Sequence, residues 1–152
     1  MNKKLKYNGK KILYFEDQLD KVDDVIYTLE KNLGFHVIKE DSPDKVYTVL
    51  EKNGFDLVIL DIRIVGGESD RKGNQQDWTR YGVYFLEELR GGKIKGPTQP
   101  NVPVLVFSCV VSTADKERIV TIGEKLNSRF KYLEKPTDLP IVEEVVVQLM
   151  AN

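Results

Sequence analysis

One cysteine, one histidine and one tryptophan in 152 residues remove several kinds of chemistry at the outset. Cys109 alone cannot form an internal disulfide, so an oxidising compartment is not required and a cytoplasmic location is the simplest reading. No cluster of His or Cys is available to hold a soft or borderline metal. No apolar run approaches the roughly 20 residues of a membrane helix, and the basic start, residues 1–6, is followed by no signal-type apolar region. Neither sign of charge dominates: Lys+Arg 23 against Asp+Glu 24 leaves a net charge of -1 and no basic footprint for nucleic acid. Internal repeats, low-complexity linkers and a glycine loop that would cradle a nucleotide phosphate are all missing.

The chain has instead the composition of a folded domain, with 41% hydrophobic and 31% charged residues. Its length predicts one domain over 1–152, large enough to bury a substantial core. Short apolar runs alternate with amphipathic stretches. Ile12-Leu13-Tyr14-Phe15 reads as a strand, and Val22, Val25, Ile26, Leu29 and Leu33 then follow helical spacing up to Gly34. Phe35-His36-Val37-Ile38 reads as a second strand. Ser42-Pro43 opens a helix that Asn53-Gly54 closes. Leu57-Val58-Ile59-Leu60 is a third strand, and Val83, Phe85, Leu86 and Leu89 form a helix ended by Gly91-Gly92. A strand after Pro103, a helix over about 114–126, a strand at 132–134 and a helix over about 139–150 complete the alternation. Strands alternating with helices predict a doubly wound parallel sheet. The strands before Asp61 and Ser108 are apolar at every position, as strands covered on both faces must be. A flavodoxin-like order 2-1-3-4-5, with right-handed crossovers and helices on both faces, follows as the expected topology.

One segment interrupts this rhythm. About twenty residues, 62–81, separate Asp61 from the next helix, where such connections usually take two to six. The polar, glycine-bearing stretch at about 65–81 is read as an insertion. It is either a tolerated loop or a lid or docking element beside Asp61, with Trp78 as a possible anchor.

The strand ends carry the chemistry. The first strand runs into Glu16-Asp17, the third into Asp61, the fourth into Ser108, and the fifth reaches Lys135-Pro136. In a parallel sheet these ends share one crevice at the topological switch point. Three close carboxylates call for a cation, and an all-oxygen donor set points to a hard ion, Mg²⁺ above all. Capping of the following helices is the plainer reading of such acids and suits Asp17 or Asp20. It suits Asp61 poorly, because no helix begins nearby. A carboxylate, a metal, a lysine and a hydroxyl together suit phosphoryl transfer.

Those same segments, Lys11 to Asp17, Phe55 to Asp61, Pro103 to Ser108 and Tyr132 to Pro136, resemble a receiver domain of bacterial two-component response regulators, similar to the chemotaxis regulators, over residues 10 to 150. The resemblance implies that Asp61 accepts phosphate from a histidine kinase or phosphotransfer protein. It implies that Glu16, Asp17, Asp61 and the backbone carbonyl of Arg63 hold Mg²⁺, and that Lys135 and Ser108 contact the phosphoryl oxygens. It further implies a Ser108–Tyr132 switch, a cis bond between Lys135 and Pro136, and a protein target rather than nucleic acid or membrane. Val65 stands where the family usually has proline, the family's turn glycine is deferred to Gly82, and bulky Cys109 and Val110 follow Ser108. Two other readings remain open: a metal-dependent phosphoryl-transfer enzyme on a related sheet, and a degenerate receiver that only binds proteins. A nuclease-type site would want an acid where Arg63 stands, and a dehalogenase-type phosphatase would want a different pair from Glu16-Asp17. The chain runs out at Asn152 just past the fifth predicted helix, as a stand-alone receiver or a piece of a longer protein would.

Overall fold

The computed structural model describes residues 5–64, 81–109 and 111–151. Val65, Trp78, Val110 and nearly all of the 65–81 insertion lie outside these residues.

Five strands, β1 (Lys11–Phe15), β2 (His36–Glu40), β3 (Leu57–Leu60), β4 (Val104–Ser108) and β5 (Phe130–Glu134), form one parallel sheet in the order β2-β1-β3-β4-β5. Five helices accompany them: α1 (Asp23–Lys31), α2 (Pro43–Lys52), α3 (Tyr81–Arg90), α4 (Thr113–Gly123) and α5 (Leu139–Met150). The expected flavodoxin-like topology is the one observed.

Strand alternation sorts the apolar side chains into two cores. Leu13, Phe15, Val58, Leu60, Val104 and Val106 face α2, α3 and α4. Ile12, Tyr14, Leu57, Ile59, Leu105 and Phe107 face α1 and α5. Every one of these residues is buried, which is why the central strands show no alternation of apolar and polar residues. Each fully buried aliphatic side chain contributes roughly 1.5–3 kcal/mol, so register in the middle of the sheet is strongly fixed.

Local signals set the element ends. Ser42 Oγ accepts the Asp44 N–H at 3.0 Å, with Pro43 opening α2. Ser112 Oγ accepts the Asp115 N–H at 3.1 Å and starts α4. Gly34 has φ +88°, a left-handed conformation that turns the chain from α1 into β2.

Three boundaries differ from expectation. β2 runs on to Glu40, because Lys39 and Glu40 pair with Tyr14 and Phe15 in the sheet whatever their polarity. β5 begins at Phe130, two residues early, where Phe130 packs into the core. The helix expected over 114–126 ends at Gly123. A Cβ at Gly123 would collide with the Phe130 ring, and Leu126 and Asn127 turn left-handed at φ 65° and 56°. Leu126 consequently points outward, 56% exposed, instead of joining the core.

Candidate functional site

The C-terminal strand ends gather the predicted residues. β1 delivers Glu16 and Asp17, β3 delivers Asp61, β4 ends on Ser108, and Lys135 follows β5. Glu16 and Asp61 are buried and Asp17 is half-buried, and one carboxylate oxygen from each of the three lies within 4.8 Å of the others. Lys135 Nζ donates to Glu16 Oε1 at 2.5 Å and stands 3.7 Å from Asp61 Oδ2, with the Phe107 ring beneath it at 5.6 Å. Ser108 Oγ donates to Asp61 Oδ1 at 2.6 Å and accepts the Ile62 N–H at 3.3 Å. The Arg63 N–H donates to the same Asp61 Oδ1 at 3.2 Å.

Backbone bonds hold this cluster in register. Asp61 N–H donates to the Phe15 carbonyl at 3.0 Å, Glu16 N–H to Glu40 at 3.1 Å, and Lys135 N–H to Ser108 at 2.8 Å. The Lys135–Pro136 bond is cis. Gly82, near the start of α3, donates its N–H to the Ile62 carbonyl at 2.9 Å. A Cβ there would strike the Asp61 carbonyl oxygen and come within 2.6 Å of Ile62 Cα. The deferred glycine therefore lets α3 press against the backbone that carries Asp61.

The electrostatics follow from crowding. Two like charges about 4 Å apart in such a site repel by roughly 4 kcal/mol, so each of these carboxylates raises the cost of ionising the others. Burial, together with Asp61 beside it, pushes the Glu16 carboxyl up to about 8, against the pull of Lys135. A hard cation among these oxygens would relieve the same repulsion. The donor set, all carboxylate with neither imidazole nor thiolate, fits Mg²⁺.

Sequence reasoning passed over Tyr14 and Glu40. Tyr14 is fully buried, and its hydroxyl has no hydrogen-bond partner among the described residues. Burial first, then Glu16 and Asp61, raise its phenol well above the ordinary range. Its signal was its position two residues before Glu16, the spacing at which side chains of an extended chain point to the same side. Glu40 also ends a strand at this edge of the sheet, but its Oε2 accepts the Asp41 and Ser42 N–H groups at 3.1 and 3.3 Å and so serves its own turn. A cavity of about 620 Å³, lined by Asp56, Pro97, Asn101 and Arg129 among others, opens at the opposite edge of the sheet, away from Glu16, Asp17 and Asp61.

No protein-family model matches the sequence, and no curated protein matches it. Solved structures do. A response regulator from Thermotoga maritima superposes with a TM-score of 0.68 at 20% identity, over 94% of this chain and 98% of that one. A signal receiver domain of a two-component histidine kinase from Clostridium thermocellum gives 0.71 at 14% identity, over 95% and 99%. The receiver domain of a sensor histidine kinase from Pseudomonas aeruginosa, with a magnesium ion coordinated in its active-site cleft, gives 0.65 at 18%, again over 95% and 99%. This chain has the receiver fold. Its acidic cluster of Glu16, Asp17 and Asp61 lies at the strand ends where the receiver resemblance places one. Among the described residues no helix is long and apolar enough to cross a membrane.

Proposed function

We propose that this chain is a phosphoacceptor receiver domain of a two-component system, one domain over 1–152, and that Asp61 takes a phosphoryl group from a histidine kinase or phosphotransfer protein. The observation that carries the reading is the convergence of Asp61 with two further acids, Lys135 and Ser108 within hydrogen-bonding or ion-pair reach. In the step, an Asp61 carboxylate oxygen attacks phosphorus in line. The phosphorus–nitrogen bond to the donor imidazole breaks, and its electron pair stays with the imidazole nitrogen, which takes a proton. Glu16, Asp17, Asp61 and the Arg63 carbonyl would hold Mg²⁺, which supplies charge neutralisation for the phosphoryl oxygens. Lys135 adds a point charge beside Asp61 Oδ2, and Ser108 offers a hydroxyl donor beside Oδ1.

The acyl phosphate so formed is read by a protein target at the face of α4, β5 and α5, through Ser108 and Tyr132, with no direct part for nucleic acid or membrane. The protein works in the cytoplasm. Intact mass after incubation with Mg²⁺ and acetyl phosphate tests the reading. One phosphoryl group should be gained by the wild type, lost on base treatment and missing from Asp61→Asn. No gain with acetyl phosphate and none with a panel of histidine kinases would leave a binding-only receiver in its place.

A further inference from the structure

We infer that Tyr47 on α2 is a positioning residue for the phosphoacceptor, acting through Tyr81 and Gly82 at the start of α3 to fix the backbone of Asp61 and Ile62. The inference rests on the phosphoacceptor reading for its significance, while the brace itself is a matter of hydrogen bonds and packing.

Three phenols and one carboxylate tie α2 to α3. The Tyr47 hydroxyl donates to Glu88 Oε1 at 3.1 Å and lies 3.0 Å from the Tyr81 hydroxyl, and the Tyr84 hydroxyl donates to Glu88 Oε2 at 3.0 Å. A phenol has one proton. With that of Tyr47 on Glu88, the Tyr81 hydroxyl is the donor in the bond between the two tyrosines. Burial first, then Tyr81 and Glu88, hold the Tyr47 phenol far above its ordinary range, so it stays protonated and able to donate. Its ring also packs on Phe85, with centroids 6.1 Å apart. The Tyr84 bond stays within α3, whereas both Tyr47 bonds cross between helices.

Tyr81 passes this anchorage to both strands that carry the acids. Its buried ring meets Phe15 edge to face, centroids 6.2 Å apart, and Phe15 immediately precedes Glu16 and accepts the Asp61 N–H at 3.0 Å. Its neighbour Gly82 donates to the Ile62 carbonyl at 2.9 Å and lies so close that a Cβ would strike the Asp61 carbonyl oxygen. Close packing transmits strain, so a shift of the first turn of α3 moves the backbone that carries the Asp61 carboxylate and the Arg63 carbonyl. Metal coordination and in-line attack are sensitive to such displacements.

The test compares single hydroxyl deletions in the full chain. Tyr47→Phe keeps the ring and removes the bonds to Glu88 and Tyr81, while Tyr84→Phe removes a bond to the same carboxylate from within α3. Metal-free hydrogen exchange at the Gly82 amide should be about three- to tenfold faster in Tyr47→Phe and within about twofold of wild type in Tyr84→Phe. NMR titration with Mg²⁺ alone should show a Kd raised about three- to tenfold in Tyr47→Phe, and the rate of phosphorylation by acetyl phosphate at saturating Mg²⁺ should fall by a similar factor. Val146→Ala, in the core on the other face of the sheet, should lower stability and leave Mg²⁺ affinity unchanged. Equal Gly82 exchange or equal Mg²⁺ affinity in wild type and Tyr47→Phe, or an effect as large in Tyr84→Phe or Val146→Ala, overturns the inference. A wild type that binds no Mg²⁺ and gains no phosphate would count against the phosphoacceptor reading alone, because Gly82 exchange is measured without either.

Discussion

At the C-terminal edge of the sheet, Glu16, Asp17 and Asp61 crowd together, Lys135 pairs with Glu16 and Asp61, and Glu16 is driven toward its protonated form. At the N-terminal edge, Arg90 is just as deeply buried, at 4% exposed, yet no carboxylate approaches it among the described residues. Its Nε donates to the Gly123 carbonyl at 2.9 Å and its Nη1 to those of Pro100 and Val102 at 2.8 and 2.7 Å, while Nη2 is buried without a partner among the described residues. Burial lowers its pKa only to about 10, so it stays charged at neutral pH. One edge gathers carboxylates in an arrangement that suits a cation. The other spends its charge on backbone carbonyls that a helix end and a loop leave free. Crowded carboxylates at one edge are the mark of a site kept for chemistry, and a cation bonded to three carbonyls from separate segments at the other is the mark of a joint.

The largest effect should come from Asp61→Asn. Phosphoryl gain should fall ~100-fold or more, because no other carboxylate in the cluster also lies against Ser108. The metal-free variant should be more stable than wild type by roughly 1 kcal/mol, since a repelling charge is gone. Urea unfolding without metal checks this, and a loss of stability instead would show that Asp61 is held by its hydrogen bonds more than it is opposed by its neighbours.

Arg90→Met should do the reverse. It leaves three carbonyls in or near the core without a donor and should cost about 3 kcal/mol, or roughly 10 °C in Tm, while phosphoryl gain per folded molecule is unchanged. A variant that folds normally but phosphorylates slowly would join the two edges into one device and break the contrast.

The two edges also differ in how far they were legible in sequence. The crevice residues announce themselves because polar side chains interrupt fully apolar strands at Glu16, Asp61 and Ser108, and a parallel sheet must bring such ends together. Arg90 sits in the last turn of an amphipathic helix, where an arginine is ordinarily solvated, and nothing local shows that Pro100, Val102 and Gly123 will surround it. The end of α4 was hidden for the same reason. Gly123 breaks the helix through its contact with Phe130, a residue of another element, while the helical spacing of apolar residues runs on to Leu126. Tyr132 could be read as a strand aromatic, but not as a ring lying under Lys116, whose helix is placed by tertiary packing.

A pH series sharpens the contrast further. The Glu16 carboxyl is near 4.5 when unfolded and is raised to about 8 when folded, so the native state binds more protons in between. Stability of the metal-free protein should therefore be highest, from this group, below 4.5 and should fall as pH rises toward 8. Glu16→Gln should flatten that slope, and saturating Mg²⁺ should do the same by stabilising the ionised form. Denaturant midpoints at pH 5 and pH 8, with and without Mg²⁺, measure it. A metal-free stability that rises across this window would mean that Lys135 outweighs burial at Glu16.

The smallest effect should come from the ion pair that lies between the two edges on the surface of the helices. Arg118 on α4 donates to Glu87 on α3 at 2.9 Å, with both side chains open to solvent at 52% and 41%. Water screens such a pair and ordering two long side chains offsets the attraction, so Arg118→Ala should cost about 0.2–1 kcal/mol, and 1 M salt should erase most of the difference. The outcome bears on how α4 is held. If the loss is this small, α4 is docked by Ile119, Ile122 and the Gly123–Phe130–Arg90 joint, and its surface charges are free to serve a partner. A loss above about 2 kcal/mol that persists in salt would place the docking of α4 on its exposed face instead. The position of α4 would then vary with its surface contacts, and the division between a rigid joint and an electrostatically poised crevice would no longer describe the molecule.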